Sequence, residues 1–413
     1  MKQTIIEKIF SSHSQEEVQP GSIIWLDLDV RSARDFGGAN VVKNFQREYP
    51  GDSVADSAKT FFTFDCVAPA VTIPYANNQQ ICRDFAKEQG IKVYDVDSGI
   101  GSHVLIDHGL CFPGSTVVGT DSHMNILGAV CAFGQGMGDQ DIAFTYKTGK
   151  TWFEVPPTMR IEVTGKYEFP ATAKDVTLAV IKRMGASGCL GRAVEFVGDA
   201  IEELSLYERI TLCSMATEMG AIISLITPNE DVINYFSKKG TTVNIPSLSP
   251  DNGADYVETV KIDVNGLTPQ AAAPFAPDNV KSIQELQGTK ISSVFLGSCT
   301  NGRFEDFQAA AEIVKGKKIN ENVMVRANPA TRGVYEELLK SGAIETLFNA
   351  GVIVSHASCG GCASGQLGMT GKGEIQLSTS NRNYKGKQGD GETYLVSPAV
   401  AMASALKGEI TLP

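Results

Sequence analysis

The chain has 413 residues, of which 42% are hydrophobic, 20% charged and 8% aromatic, a globular composition long enough for two or three packed domains and unlike that of a disordered or fibrous protein. Lys and Arg together number 36 against 47 for Asp and Glu, a net charge of -11, so non-specific nucleic-acid binding by counterion release is excluded while a local pocket for a small anion is not. The 41 glycines and 17 prolines are scattered among apolar runs, as in an α/β enzyme with many tight turns.

Met1 to Phe10 carries Glu7 and Lys8 among its apolar residues, which excludes a secretory h-region there, and no apolar run reaches the ~18 residues of a membrane span; a cytoplasmic protein is expected. The run 61–75 (FFTFDCVAPAVTIPY) predicts a strand, Asn78 to Gly90 a helix, and 115–120 (STVVGT) a second strand. In a parallel sheet functional groups gather at the carboxyl ends of strands, and Asp65 and Asp121 both lie at such ends. Pro156 and Pro157 mark a boundary, followed by an alternating strand (TMRIEVTG) and an amphipathic helix over 172–187. Residues 247–277, rich in Pro, Asp, Asn and Ala, predict a long connection. The third unit opens with ISSVFLGSC, a buried strand, then a turn and a helix over Glu305 to Val314; AGVIVSHASC is a further strand. The expected domains are 1–156, 157–286 and 287–413.

Nine cysteines, an odd number with no sign of export, argue against a disulfide framework and leave reduced core residues or ligands. Cys299 follows one predicted strand, and the C-G-G-C pair Cys359 and Cys362 follows another. Three thiolates at strand ends can converge on a metal or a cluster, with Gly360 and Gly361 letting the backbone approach. Buried structural cysteines or a redox pair are the plain alternatives. With His356 as a fourth ligand the set suits zinc; with no fourth ligand it suits an iron-sulfur cluster with one open iron. In G-T-D-S-H, Asp121 and His123 can form a carboxylate and imidazole pair for proton delivery, or Asp121 can simply cap the next helix. Arg303, Arg382 and Lys387, near the cysteine turns and near Asn301 and Asn381, suit capture of carboxylates, against the alternative of solvated surface cations. No G-x-G-x-x-G turn follows a strand, so no nicotinamide site is expected.

Taken in order, I-I-E-K-I-F-S-S-H, P-G-S-T-V-V-G-T-D-S-H, T-G-K-T-W-F-E-V-P, G-S-C-T-N-G-R-F-E-D, C-G-G-C, S-T-S-N-R-N-Y-K-G-K and S-P-A-V-A-M-A-S-A-L-K-G resemble the aconitase family, most closely the large subunits of its isopropylmalate isomerase and homoaconitase branch. The resemblance implies three α/β/α domains around a central cluster cleft. It also implies a [4Fe-4S] cluster on Cys299, Cys359 and Cys362 whose open iron binds the substrate hydroxyl, and a proton network of Asp121, His123 and Glu218. Asp65 and His103 fall in the family's catalytic motifs. Arg303 and Arg382 would hold substrate carboxylates, with Asn381 and Lys387 beside them. The substrate implied is a hydroxylated dicarboxylate of the malate type, 3-isopropylmalate by default. Other alkylmalates such as 2,3-dimethylmalate, or homoaconitate, are alternatives, as is a non-catalytic cluster-binding homologue. The family's serine base lies on a swivelling domain with a G-S-S-R-like loop that has no counterpart here, so a small partner subunit is implied. Four positions depart from the family pattern: Cys66 and Ser102 stand where it has histidine, Met124 where it has threonine, and Lys387 where it has arginine, with His103 one place from the expected imidazole.

Overall fold

A computed structural model describes residues 2–363 and 366–413. The first sheet has five parallel strands in the spatial order Lys92–Tyr94, Thr60–Thr63, Val30–Arg34, Thr116–Gly119, Phe133–Gly136. The chain thus winds outward from Val30–Arg34 to one side, then returns to the other side at Thr116–Gly119. That reversal opens a crevice at the carboxyl ends of the two central strands, the place where open α/β sheets bind ligands. The expected strand over 61–75 is only Thr60–Thr63. Pro69 and Pro74 have no amide hydrogen for a ladder, and Thr72 accepts from the Tyr75 amide to start the helix Ile73–Gln89 earlier than expected. That helix ends at Gly90 in the left-handed region (φ +68°), where glycine has no Cβ penalty.

The second sheet is also parallel, ordered Ile223–Leu225, Ala193–Val197, Thr158–Thr164, Glu258–Asp263. The strand Glu258–Asp263 lies inside what the sequence presents as a long connection. Its exposed edge position tolerates alternate polar side chains, which hid its period. The third sheet has seven strands. Five are parallel and again wind outward and return: Ile353–Val354, Met324–Asn328, Ser293–Gly297, Ile375–Ser378, Glu392–Leu395. Gln270–Ala272 and Val280–Ser282 extend it as an antiparallel edge, so this sheet takes residues from before the expected boundary at 286. The first and third sheets therefore share one winding order. Each has its reversal where a sequence motif lies, at Gly119 before Asp121 and at Gly297 before Cys299.

All nine cysteines are free, eight of them buried. No helix among the described residues is long and apolar enough to cross a membrane.

Candidate active site

Three strand ends of the first sheet supply charge. Arg34 closes its strand, Asp65 follows Thr63 by two residues and Asp121 follows Gly119 by two. The turn carrying Asp65 is shaped by Asp35, whose carboxylate accepts from the amides of Asp65 (3.1 Å), Cys66 (2.9 Å) and Val67 (3.2 Å) and from Gln79 Nε2 (3.2 Å). Asp65 itself is fully buried and accepts from Arg34 Nε at 2.7 Å and from the Gly101 amide at 2.7 Å. Burial, with Asp35 and Asp121 nearby, outweighs Arg34 and pushes the Asp65 carboxyl up to about 6. For Asp121 the balance is opposite. Burial alone would raise it, but Arg34, His123 and Arg382 hold it below the usual range.

The third sheet supplies sulfur. Cys299 follows Ser298, which sits in the left-handed region (φ +76°), so the chain turns sharply past the strand end. Asn381 Nδ2 lies 3.1 Å from Cys299 Sγ, and Arg34 Nη2 lies 2.8 Å from Cys359 Sγ. The Cys359 amide donates to the Asp65 carbonyl at 2.9 Å. Gly360 (φ +59°) is required here, since a Cβ would stand 2.6 Å from Asn328 Oδ1 and 2.8 Å from the Phe295 ring. The three sulfurs do not all lie within 4.8 Å of one another, whereas ligands of one tetrahedral zinc stand about 3.8 Å apart at ~2.3 Å from the metal. His356, the alternative fourth ligand, is committed to the Ala68 carbonyl. Burial pushes the Cys299 thiol well up and the Cys362 thiol up to about 12. Wider sulfur spacing, N–H donors on two of the sulfurs and buried thiols together suit an iron-sulfur cluster better than a single ion.

Beside the sulfurs lies a proton network drawn from the loops of all three large sheets. His123 Nε2 donates to Glu218 Oε1 at 3.1 Å, and the His123 amide donates to Asp121 Oδ1 at 3.0 Å; this is a turn ahead of the 3-10 helix Met124–Val130, whose N-cap is His123, so Asp121 does not cap that helix. Glu218, on the 3-10 turn Ala216–Met219, accepts from Arg382 Nε at 2.7 Å and from the Tyr384 hydroxyl at 3.3 Å. Arg382 Nη1 reaches Ser122 Oγ at 3.1 Å. Burial would raise Glu218, but His123 and Arg382 hold it below the carboxylate range, and Glu218 in turn raises Arg382.

Other expected site residues are placed differently. His103 is fully buried and donates through Nε2 to the Cys299 carbonyl at 2.9 Å, supporting the cysteine turn from behind. Burial and Arg303 push its pKa down to about 4, so it is neutral there. Ser102, at the position of the family's imidazole, has a buried hydroxyl without a partner among the described residues. Arg303 pairs with Asp107 at 2.9 Å, and Asp107 also accepts from Thr331 (2.8 Å) and Tyr235 (2.9 Å), so the Arg303 charge is already matched. Lys387 is half-buried, and its side chain makes no hydrogen bond or ion pair among the described residues; its charge acts on the Cys362 thiol.

Two cations carry no motif signal. One is Arg34. The other is Lys174, 1% exposed, which lies in the first turn of the helix Ala173–Met184 and donates to the carbonyls of Thr379 (3.0 Å) and Ser380 (2.7 Å) and to Asn301 Oδ1 (3.3 Å). It thus clamps the turns that carry Cys299 and Asn381. Burial pushes its pKa down to about 7. Lys174→Met would leave three buried acceptors unmet, an expected cost of about 3 kcal/mol. The thermal midpoint of the purified protein should fall by several degrees; an unchanged midpoint would mean that the clamp is dispensable.

The model of the aconitase family (aconitate hydratase) matches residues 7–288 and 281–408. The chain is 41% identical to "3-isopropylmalate dehydratase large subunit 1" of Methanopyrus kandleri, over 100% of this chain and 99% of that protein. It is 43% identical to "Probable 3-isopropylmalate dehydratase large subunit" of Methanothermobacter thermautotrophicus with the same coverage. It is 40% identical to "Probable methanogen homoaconitase large subunit" of the same organism, over 100% and 98%. Among solved structures, Thermococcus kodakaraensis aconitase X in its holo form matches with a TM-score of 0.53 and 13% identity, over 89% of this chain and 88% of that one, a likeness of fold. With the family model spanning nearly the whole chain and full-length relatives at about this identity, the chain belongs to the aconitase family and is a hydro-lyase.

Proposed function

We propose that this chain is the cluster-bearing large subunit of a [4Fe-4S] hydro-lyase that dehydrates and isomerises a malate-type hydroxydicarboxylate, 3-isopropylmalate by default. The observation that carries the reading is the meeting of Cys299, Cys359 and Cys362 with the Asp121, His123, Glu218 and Arg382 network at two facing strand-end crevices. Cys299, Cys359 and Cys362 would hold the cluster, which when bound supplies a Lewis acid for the leaving hydroxyl. His123, oriented by Glu218, is placed to hold the proton that the departing hydroxyl takes. Asp121 and Glu218, kept ionised by their cationic neighbours, place negative charge on either side of the His123 ring. Arg382, with N–H groups beyond those spent on Glu218 and Ser122, suits a substrate carboxylate. The net reaction is redox-neutral and requires no nicotinamide.

A small subunit carrying the base for the carbon-bound proton is the expected partner, in line with the large-subunit names of the relatives. Another alkylmalate such as 2,3-dimethylmalate, or homoaconitate, is the alternative substrate, favoured by the changed groups at Cys66 and Ser102 in the buried corner beside Asp65. The test is anaerobic reconstitution with iron and sulfide, addition of the small subunit, and assay of these hydroxyacids for loss of hydroxyl and gain of the alkene. Turnover of 3-isopropylmalate at least tenfold above the others is expected. A cluster signal with no turnover of any of them would leave a cluster-binding, non-catalytic protein.

A further inference from the structure

Arg34 lies where the winding of the first sheet reverses, at the carboxyl end of the central strand Val30–Arg34. Its guanidinium is divided among three acceptors. Nε donates to Asp65 Oδ1 at 2.7 Å, Nη1 pairs with Asp121 Oδ1 at 3.0 Å, and Nη2 donates to Cys359 Sγ at 2.8 Å. The side chain is 15% exposed. The planar fork matches this spread of acceptors, whereas a lysine ammonium is a point charge on a flexible stem and cannot reach all three in one geometry.

The contacts tie two domains together at one atom. Cys359 is held at its sulfur by Arg34 and at its amide by the Asp65 carbonyl, so both ends of this cysteine are referred to the first sheet. Asp65 is fixed in turn by the Gly101 amide. The sulfur is therefore placed relative to the carboxylates by one side chain. A cationic N–H on a ligand sulfur also draws charge from it, and that favours the state of a cluster with one more electron.

We propose that Arg34 is a positioning residue of this centre, which sets the Cys359 sulfur and the Asp65 and Asp121 carboxylates on one guanidinium fork and raises the reduction potential of the cluster. The inference rests on the cluster assignment of Cys299, Cys359 and Cys362. Neither the family motifs nor the nearby cysteine turns mark position 34.

The full chain, Arg34→Lys and Arg34→Met are to be reconstituted anaerobically with iron and sulfide and assayed for both. Each is then titrated with dithionite through mediators, with the paramagnetic reduced state read by electron spin resonance. One electron from dithionite enters, taking [4Fe-4S]2+ to [4Fe-4S]+, with no bond to substrate made or broken. Arg34→Met at full iron should show a midpoint potential shifted to more negative values, and Arg34→Lys a smaller shift in the same direction, since it keeps the charge and loses the fork. In the complex with the small subunit, kcat should fall about tenfold or more in both while KM changes less. Potentials equal to wild type in both loaded variants would overturn the inference and leave the cluster assignment intact. A wild-type chain that takes up neither iron nor sulfide would overturn both. If Arg34→Met fails to fold, Arg34→Lys decides: a wild-type potential in it overturns the inference.

Discussion

Cys359→Ala protein, reconstituted with iron and sulfide without oxygen, should hold less than about a tenth of the wild-type iron and sulfide and show no cluster absorbance, yet remain soluble and folded. A three-cysteine cluster site has no spare ligand, so loss of one thiolate removes the assembly itself. The fold should survive for a separate reason. Cys359 is 5% exposed, and removing its sulfur costs about 1 kcal/mol of packing, while Arg34 keeps Asp65 and Asp121 as partners. The control is Cys66→Ser. Cys66 is also buried, but its thiol faces Asp65 Oδ1 at 3.4 Å and lies outside the three-cysteine set. Its variant should keep full iron. Normal iron and activity in Cys359→Ala, or equal loss in Cys66→Ser, would redraw the ligand set.

Glu218→Gln should be the most damaging substitution that leaves the cluster in place, with kcat down by about 10²–10⁴. Glu218 carries the negative charge shared by His123 Nε2 and Arg382 Nε, and it is nearly fully buried. Glutamine keeps the size but not the charge, so it can no longer stabilise a protonated His123, and Arg382 is released from its position. The expected split is a large fall in kcat with a smaller rise in KM, because the missing charge acts on the proton rather than on the substrate. Iron content should equal wild type. A kcat within twofold of wild type at full iron would place the acid elsewhere, and His123→Gln would then be the next variant to measure.

Much of this was legible before any fold was known. Asp121 and Cys299 lie just past short β-branched runs, and a parallel sheet puts such positions at its reactive edge whatever the order of its strands. Asp65 follows the same rule, although Pro69 and Pro74 cut its strand short. The ordered motifs contain Asn381 and Arg382, the family resemblance added Glu218, and the fold brings Glu218 and Arg382 within 2.7 Å of each other. The edge strands Glu258–Asp263 and Val280–Ser282 were not legible. Edge strands carry polar side chains and short runs, so their period is faint and their partners are set by the sheet they join.

By itself, then, the sequence determined the α/β class, the strand-end turns, the helix caps and the set of thiols, carboxylates and cations, because these depend on residues within a few positions of one another. Only the tertiary structure decided which cation serves which anion. Arg303 is spent on Asp107, 196 residues away, and His103 on the Cys299 carbonyl. Arg34 spans 325 residues to Cys359, and Lys174 spans 205 to Thr379. A guanidinium or ammonium pairs with whatever acceptor the fold buries beside it, and burial penalises every charge left unmatched. No local pattern records that choice, since it is made when the two crevices close on each other.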